Sequence, residues 1–258
     1  MSARETLRPE AHIALLIDAD NAPAAKIGLI LTELSTFGVT NVRRAYGNWK
    51  KSELKGWEEK LHEHAIRPMQ QFDYSKGKNA SDMAMVIDAL ELLYTDRPDA
   101  FGIVSSDADF TPLVMHLRAK GAAVYGFGAA KTPEPFVNAC SRFLFLEKLG
   151  VEELGEAGES GEAAPAAPLR VTTAQLKQDA KLVTLLRHAV QAAADESGWA
   201  RVGAVGQQIG NQASFDSRNY GYATLTKLLA ATQLFEMSHE GTSQVSVRDK
   251  RQGKPARA

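Results

Sequence analysis

The stretch IALLIDADNAP (13–23) decides how the first half of this chain is read. An apolar run of strand type stops at Asp18, and Asp20, Asn21 and Pro23 follow at once. Similar runs recur at NVRRAYG (41–47), AIRPMQQF (65–72), FGIVSS (101–106) and AAVYGFG (122–128). Amphipathic segments separate them, beginning near Pro23, Ser52, Asn79, Thr111 and Pro133. Such alternation predicts βαβ units with right-handed crossovers, an α/β fold whose mostly parallel sheet is flanked by helices. Ligands of such sheets collect at the carboxyl ends of the strands, so acids that end strands are the first candidates for a site.

The chain has 258 residues, 44% of them apolar, enough to fill a sizeable core. A formal net charge of -1 means that any contact with nucleic acid must come from a local patch. The single cysteine, Cys140, excludes an intramolecular disulfide framework and a thiolate zinc cluster. It precedes the apolar RFLFLEKL and reads as buried filler. The N-terminus lacks an apolar signal region, and no apolar run approaches the roughly 18 residues of a membrane span. A cytoplasmic location and no membrane contact are therefore expected.

The segment KLGVEELGEAGESGEAAPAAPLR (148–170) has the composition of a solvated linker. The expected organisation is a first domain at 11–148, a linker at 149–170, a second domain at 171–248 and a basic tail at 249–258. In the second domain DAKLVTLLRHAVQAAA, VGAVGQQIGNQ and the end of FDSRNYGYATLTKLLAAT read as helices, and FEMSHEGTSQVSVRD reads as a hairpin. Three helices and a β-wing predict a winged helix-turn-helix. The tail, rich in breakers, is expected to be disordered, either as a solubilising end or as a phosphate-binding arm.

Three acidic positions emerge in the first domain. Asp18 closes an apolar strand, where a carboxylate is costly to bury without a partner. Asp20 reads as a helix cap or a solvated turn. Met85, Val86, Ala89, Leu90 and Leu93 form an apolar helical face, and stepping back three residues places Asp82 on it, in the first turn. Asp88 and Glu91 fall off that face and are expected in solvent. SSDADF (105–110) follows the fourth strand; since Thr111 and Pro112 can open the next helix, Asp107 and Asp109 are not needed as its caps. At the switch point of a doubly wound sheet, Asp18 and Asp107 share one crevice with Asp82 beside it. Several carboxylates together require a cation or bound protons, and all-oxygen ligands point to Mg²⁺ or Mn²⁺. Such a centre positions water for attack on a phosphodiester. Lys76 and Lys78 in SKGKNASD, and Arg43, Arg44, Lys50 and Lys51 interleaved with Tyr46 and Trp49, fit a polyanionic substrate, or else a solvated surface.

IDADNAP, KGKNASD and SSDADFTPL, in this order, resemble the NYN-domain family in its LabA-like branch, which is related to PIN-domain nucleases. The resemblance covers about residues 11–148. It implies a PIN-like Rossmannoid fold and a metal-dependent ribonuclease, with Asp18, Asp82, Asp107 and Asp109 as metal-site acids and Asn21 as a polar site residue. Ser105 and Ser106 match the strand-end loop and are implied contacts of metal water or phosphate. Independently, FDSRNYGYATLTKLLAATQLFEM with WARVGAVGQQI is similar to the OST-HTH (LOTUS) signature. It implies a winged-helix module for RNA, including G-rich RNA, or for a protein partner, with Arg218, Tyr220 and Lys227 exposed and Phe215, Leu225 and Leu228 in the core. Tyr222 fits either role. A homodimer is compatible with both resemblances.

Two rivals stand against the ribonuclease. DADN also opens haloacid-dehalogenase-type phosphatases, with Asp18 as nucleophile and Asp20 as acid–base, although the short run into the next helix leaves no room for their flap. The other is a non-catalytic RNA-binding adaptor whose acids serve structure. The absence of G-x-G-x-x-G after the first strand argues against a dinucleotide enzyme.

Overall fold

The computed structural model describes residues 10–72, 79–150, 170–239, 241–242 and 244–251. The chain divides into two compact units between Leu149 and Gly150. In the first, strands β1 (His12–Asp18), β2 (Val39–Gly47), β3 (Arg67–Gln70), β4 (Ala100–Val104), β5 (Ala123–Gly128) and β6 (Arg142–Phe145) alternate with helices α1 (Ile27–Ser35), α2 (Glu58–Glu63), α3 (Ala80–Thr95), α4 (Thr111–Ala119) and α5 (Glu134–Ala139). All pairings are parallel, in the order β3-β2-β1-β4-β5-β6. The chain builds outward from β1 to β3, and α3 then carries it back to β4 on the other side of β1. That reversal is the switch point expected from the sequence.

β1 is buried from Ile13 to Asp18 because both faces of a central parallel strand are covered. Ala14 and Leu16 pack with Met85, Ala89, Val114 and Phe136 of α3, α4 and α5. Ile13, Leu15 and Ile17 pack on the opposite face with Ile27, Ile30 and Leu34 of α1 and with Leu54 and Trp57 before α2. Each fully buried aliphatic side chain contributes about 1.5–3 kcal/mol. A one-residue slip of β1 would exchange these two sets, so its register is fixed.

Two features differ from the sequence reading. RFLF, read only as apolar surroundings for Cys140, forms a sixth strand beside β5. The helical segment after Ser52 is a 3₁₀ stretch over Ser52–Trp57 leading into α2. Cys140 is buried, and burial pushes its thiol up to about 12.

The second unit contains α6 (Thr173–Gln178), α7 (Ala180–Ala193), α8 (Val202–Gln212) and α9 (Leu225–Thr232), with β7 (Ala200–Arg201), β8 (Phe235–Ser238) and β9 (Ser246–Asp249). The strands form an antiparallel sheet in the order β7-β9-β8, giving the wing. A fourth helix, α6, was not anticipated; a capping box between Thr172 and Gln175 starts it, and Asp179 separates it from α7 by accepting the Leu182 amide at 2.9 Å. Leu176, Leu182, Leu186, Leu228, Leu229 and Val247 fill the core. Asp249, placed by the sequence reading at the start of the tail, instead ends β9. Residues 151–169 of the expected linker and 252–258 of the expected tail lie outside the described residues. No helix among the described residues is long and apolar enough to cross a membrane.

Candidate functional site

The β1 pleat places Asp18, two residues after Leu16, on the face covered by α3. Its side chain is 1% exposed. Asn21 Nδ2 and Ser105 Oγ both donate to Oδ2, at 2.9 and 2.8 Å. Oδ1 is buried and has no hydrogen-bond partner among the described residues. Burial raises the pKa of this carboxyl, the two donors work against that rise, and Asp20 adds to it.

Ser105 sits at the end of β4, beside the end of β1. Its hydroxyl, donating to Asp18, also accepts the Asp107 amide at 3.1 Å. One serine thereby fixes the nucleus of the site, and it is buried among protein atoms. Ser106 Oγ is likewise engaged, accepting the Ala129 amide at 2.8 Å after β5. Asp107 Oδ1 accepts the Asp109 amide at 2.9 Å and so caps the 3₁₀ turn Ala108–Phe110 that leads into α4. Neither Asp107 nor Asp109 caps α4 itself, as expected, but Thr111 does not cap it either: Phe110 stands at the cap position and the Thr111 hydroxyl donates to the Ala108 carbonyl. Asp109 is exposed.

Asp82 lies in the first turn of α3, as its periodicity required. Its pKa is pushed up to about 6, first by burial and then by the charges of Asp18, Asp107, Asp20 and Asp109. The four acids named from the sequence thus interact at one strand edge, and a fifth joins them. Asp20, read as a cap or solvated turn, accepts Lys51 Nζ through Oδ1 and Ser81 Oγ through Oδ2, both at 3.1 Å. It bridges the β1 exit, the segment after β2 and the start of α3. No local pattern in the sequence points to Ser81 or to this bridge.

Among the described residues, no three acidic, imidazole or thiol side chains stand close enough to hold a cation by themselves. The donor set nevertheless fits a hard ion. All donors are oxygens, one carboxylate oxygen is buried without a partner, and Mg²⁺ keeps several waters while using one or two carboxylates and substrate phosphates.

The cationic candidates distribute differently from the acids. Arg43 and Arg44 are adjacent in β2 and point to opposite faces. Arg43 donates to the carbonyls of Thr40 and His64, on the α2 side. Arg44 pairs with Asp88 of α3, which also accepts the Tyr46 hydroxyl. Asp88 is therefore buried, a correction to the solvent position expected from the α3 periodicity; two donors from β2 compensate its charge. The Trp49 indole packs against the α1-side core with Nε1 buried. Lys76 and Lys78 lie outside the described residues. The sequence reading missed Phe72, which is 45% exposed just after β3, with Lys50 Nζ 4.9 Å from its ring centre. In the second unit Arg218 is clamped by Asp216, Tyr220 stacks on Phe215, Tyr222 is buried with its hydroxyl on the Val171 carbonyl, and Lys227 is exposed.

The model of the NYN domain matches residues 12–147, and that of the OST-HTH/LOTUS domain matches residues 176–247. An uncharacterized protein of Methanocaldococcus jannaschii is 32% identical over 124 residues, 46% of this chain and 48% of its own length. The chain thus spans about half the length of this curated relative. Among solved structures, a protein of unknown function from Vibrio parahaemolyticus is similar with a TM-score of 0.44 and 18% identity, over 54% of this chain and 95% of that one. An uncharacterized protein from Nitrosomonas europaea has a TM-score of 0.26 and 27% identity, over 40% of this chain and 99% of that one.

Proposed function

The chain belongs to the NYN domain family, within the PIN-like nuclease superfamily, and from that premise we propose that its acidic strand edge is the active site of a divalent-cation-dependent ribonuclease. The OST-HTH/LOTUS domain would hold the RNA, which is the second part of the same proposal. The observation that carries it is the unpartnered, buried Asp18 Oδ1 beside four further acids. A carboxylate held so, with its other oxygen fixed by Asn21 and Ser105, is costly for stability alone and is suited to gripping a cation.

Asp18, with one of its neighbours Asp82 and Asp107, would hold Mg²⁺ or Mn²⁺, bound waters and the substrate phosphate completing the ligands. When bound, the ion supplies a nucleophilic water at neutral pH and stabilises charge on the phosphoryl oxygens. Asn21, which is exposed, and Lys51, tethered to Asp20, would contact the phosphate backbone of the substrate. Ser105 and Ser106 act as positioning residues, since their hydroxyls are taken up by Asp18 and by the Ala129 amide.

The test is incubation of the full chain with end-labelled single-stranded and structured RNA in Mn²⁺, in Mg²⁺ and in EDTA. Cleavage that requires the cation supports the ribonuclease. RNA that is bound but left intact under every condition would replace it with the adaptor reading.

A further inference from the structure

The exposed residues expected to meet RNA in the second domain were Arg218, Tyr220 and Lys227. Two of them are engaged within the fold: the Arg218 guanidinium donates to both oxygens of Asp216, at 2.9 and 2.8 Å, and the Tyr220 ring stacks on Phe215. A different place collects donors without partners. Between the outer face of α7 and the end of β9 lies a cavity of about 390 Å³ lined by Thr184, Arg187, His188, Gln191, Asp249 and Arg251. Thr184, His188 and Gln191 are spaced along one helical face, and all three are exposed.

Asp249, 7% exposed, organises the cavity. Its Oδ2 lies 3.1 Å from Arg187 Nε, and its Oδ1 accepts the Arg251 amide at 3.0 Å. Arg187 Nε is buried and off the line of a hydrogen bond to that carboxylate. Among the described residues nothing accepts from the outer nitrogens of Arg187 or from the Arg251 guanidinium. One carboxylate thus pairs with Arg187 through Nε and holds the backbone of Arg251, leaving the outer nitrogens of Arg187 and the whole Arg251 guanidinium to the cavity, which keeps an excess of positive charge. Guanidinium groups in this state match phosphate oxygens two donors at a time. The volume admits a phosphate with its sugar, and is too small for a helix or a folded partner.

We propose that this cavity is a phosphodiester-binding site, through which Arg187 and Arg251 hold the backbone of single-stranded RNA on the α7 side of the second domain. It rests on the RNA-holding part of the function proposed above and is independent of cleavage. Gln191 and Thr184 supply neutral donors for the sugar or a base edge, and His188 closes the cavity from the solvent side.

The experiment measures affinity of the full chain for a fluorescein-labelled, single-stranded RNA of mixed sequence, in EDTA, over a range of salt. Arg251→Gln, which removes an exposed charge, and Arg187→Gln are compared with Lys120→Gln, which removes an exposed charge at the end of α4. The expected result is that each arginine variant weakens binding severalfold and lowers the slope of log K against log salt by about 0.7, one single-strand phosphate contact. Lys120→Gln leaves both unchanged. Should Arg187→Gln lower the melting temperature, because Asp249 loses its partner, Arg251→Gln alone decides. Wild-type affinity and slope in Arg251→Gln overturn the site and leave the cavity to an acidic protein segment. Equal losses in Arg251→Gln and Lys120→Gln also overturn it, as diffuse charge attraction. If the wild-type chain binds no RNA at all, the RNA-holding reading fails and takes the site with it.

Discussion

Ser105 donates its hydroxyl to Asp18 Oδ2 at 2.8 Å and so ties the carboxyl ends of two neighbouring central strands together. Both side chains are buried. Ser105→Ala leaves the carboxylate with only Asn21 as a side-chain donor, and a lost bond to a buried charged group costs about 1–3 kcal/mol. The variant is expected to unfold at lower urea concentration and to lose about 10–100-fold in cation affinity, the range for positioning partners of a metal site. Chemical denaturation and calorimetric Mn²⁺ titration check the two effects.

Asp82 makes the metal-free protein sensitive to pH. Its carboxyl is raised from 3.8 to about 6 in the folded state, so between these values the folded protein binds more protons than the unfolded chain. Its contribution to stability therefore falls as pH rises from about 4 to 6, and above 6 the full penalty of the charged form remains. Melting curves in EDTA should show that wild type loses more stability across this window than Asp82→Asn. Added Mg²⁺ should shrink the difference, since the cation favours the ionised acid.

Asp88 accepts from Arg44 and Tyr46 across the α3–β2 contact. The Arg44 and Asp88 side chains are 21% and 11% exposed, so removing one partner leaves a largely buried charge. Asp88→Ala is expected to cost about 3–5 kcal/mol and Tyr46→Phe about 1–2 kcal/mol. Urea unfolding of the first domain, followed by its tryptophans Trp49 and Trp57, distinguishes these values.

Gly128 ends β5 against the site loop. A Cβ there would stand 2.6 Å from the Ser105 carbonyl oxygen and 2.6 Å from Thr132 Oγ1. Gly128→Ala must push the strand end carrying Ser105, at a cost of about 1–3 kcal/mol. Activity is expected to fall more than stability accounts for, measured as cleavage rate well below the melting temperature.

The parallel sheet and the positions of Asp18, Asp82 and Asp107 were legible because each depends on local periodicity. The run IALLID is long and uniformly apolar, and the stripe from Met85 points straight back to Asp82. The family pattern carried the same residues. What was not legible depends on partners distant in sequence. Asp88 breaks the α3 pattern, and only the fold brings Arg44 and Tyr46 across to compensate it. Asp20 looks like a cap until Lys51 and Ser81 arrive from other elements. Arg43 and Arg44 look like a single basic patch until the pleat sends them to opposite faces. In the second domain the exposed-looking Arg218 is claimed by its neighbour Asp216, while Arg187 sits unremarked inside a helical pattern.

The central claim is that Asp18 grips the cation that drives RNA cleavage, and single-turnover cleavage by Asp18→Asn against wild type in Mn²⁺ tests it most directly. Asparagine keeps the shape and the place in the core but removes the charge. The account predicts a loss of about a hundredfold or more in rate, with a fold as stable as wild type in EDTA. Cleavage at the wild-type rate by the folded variant would contradict it.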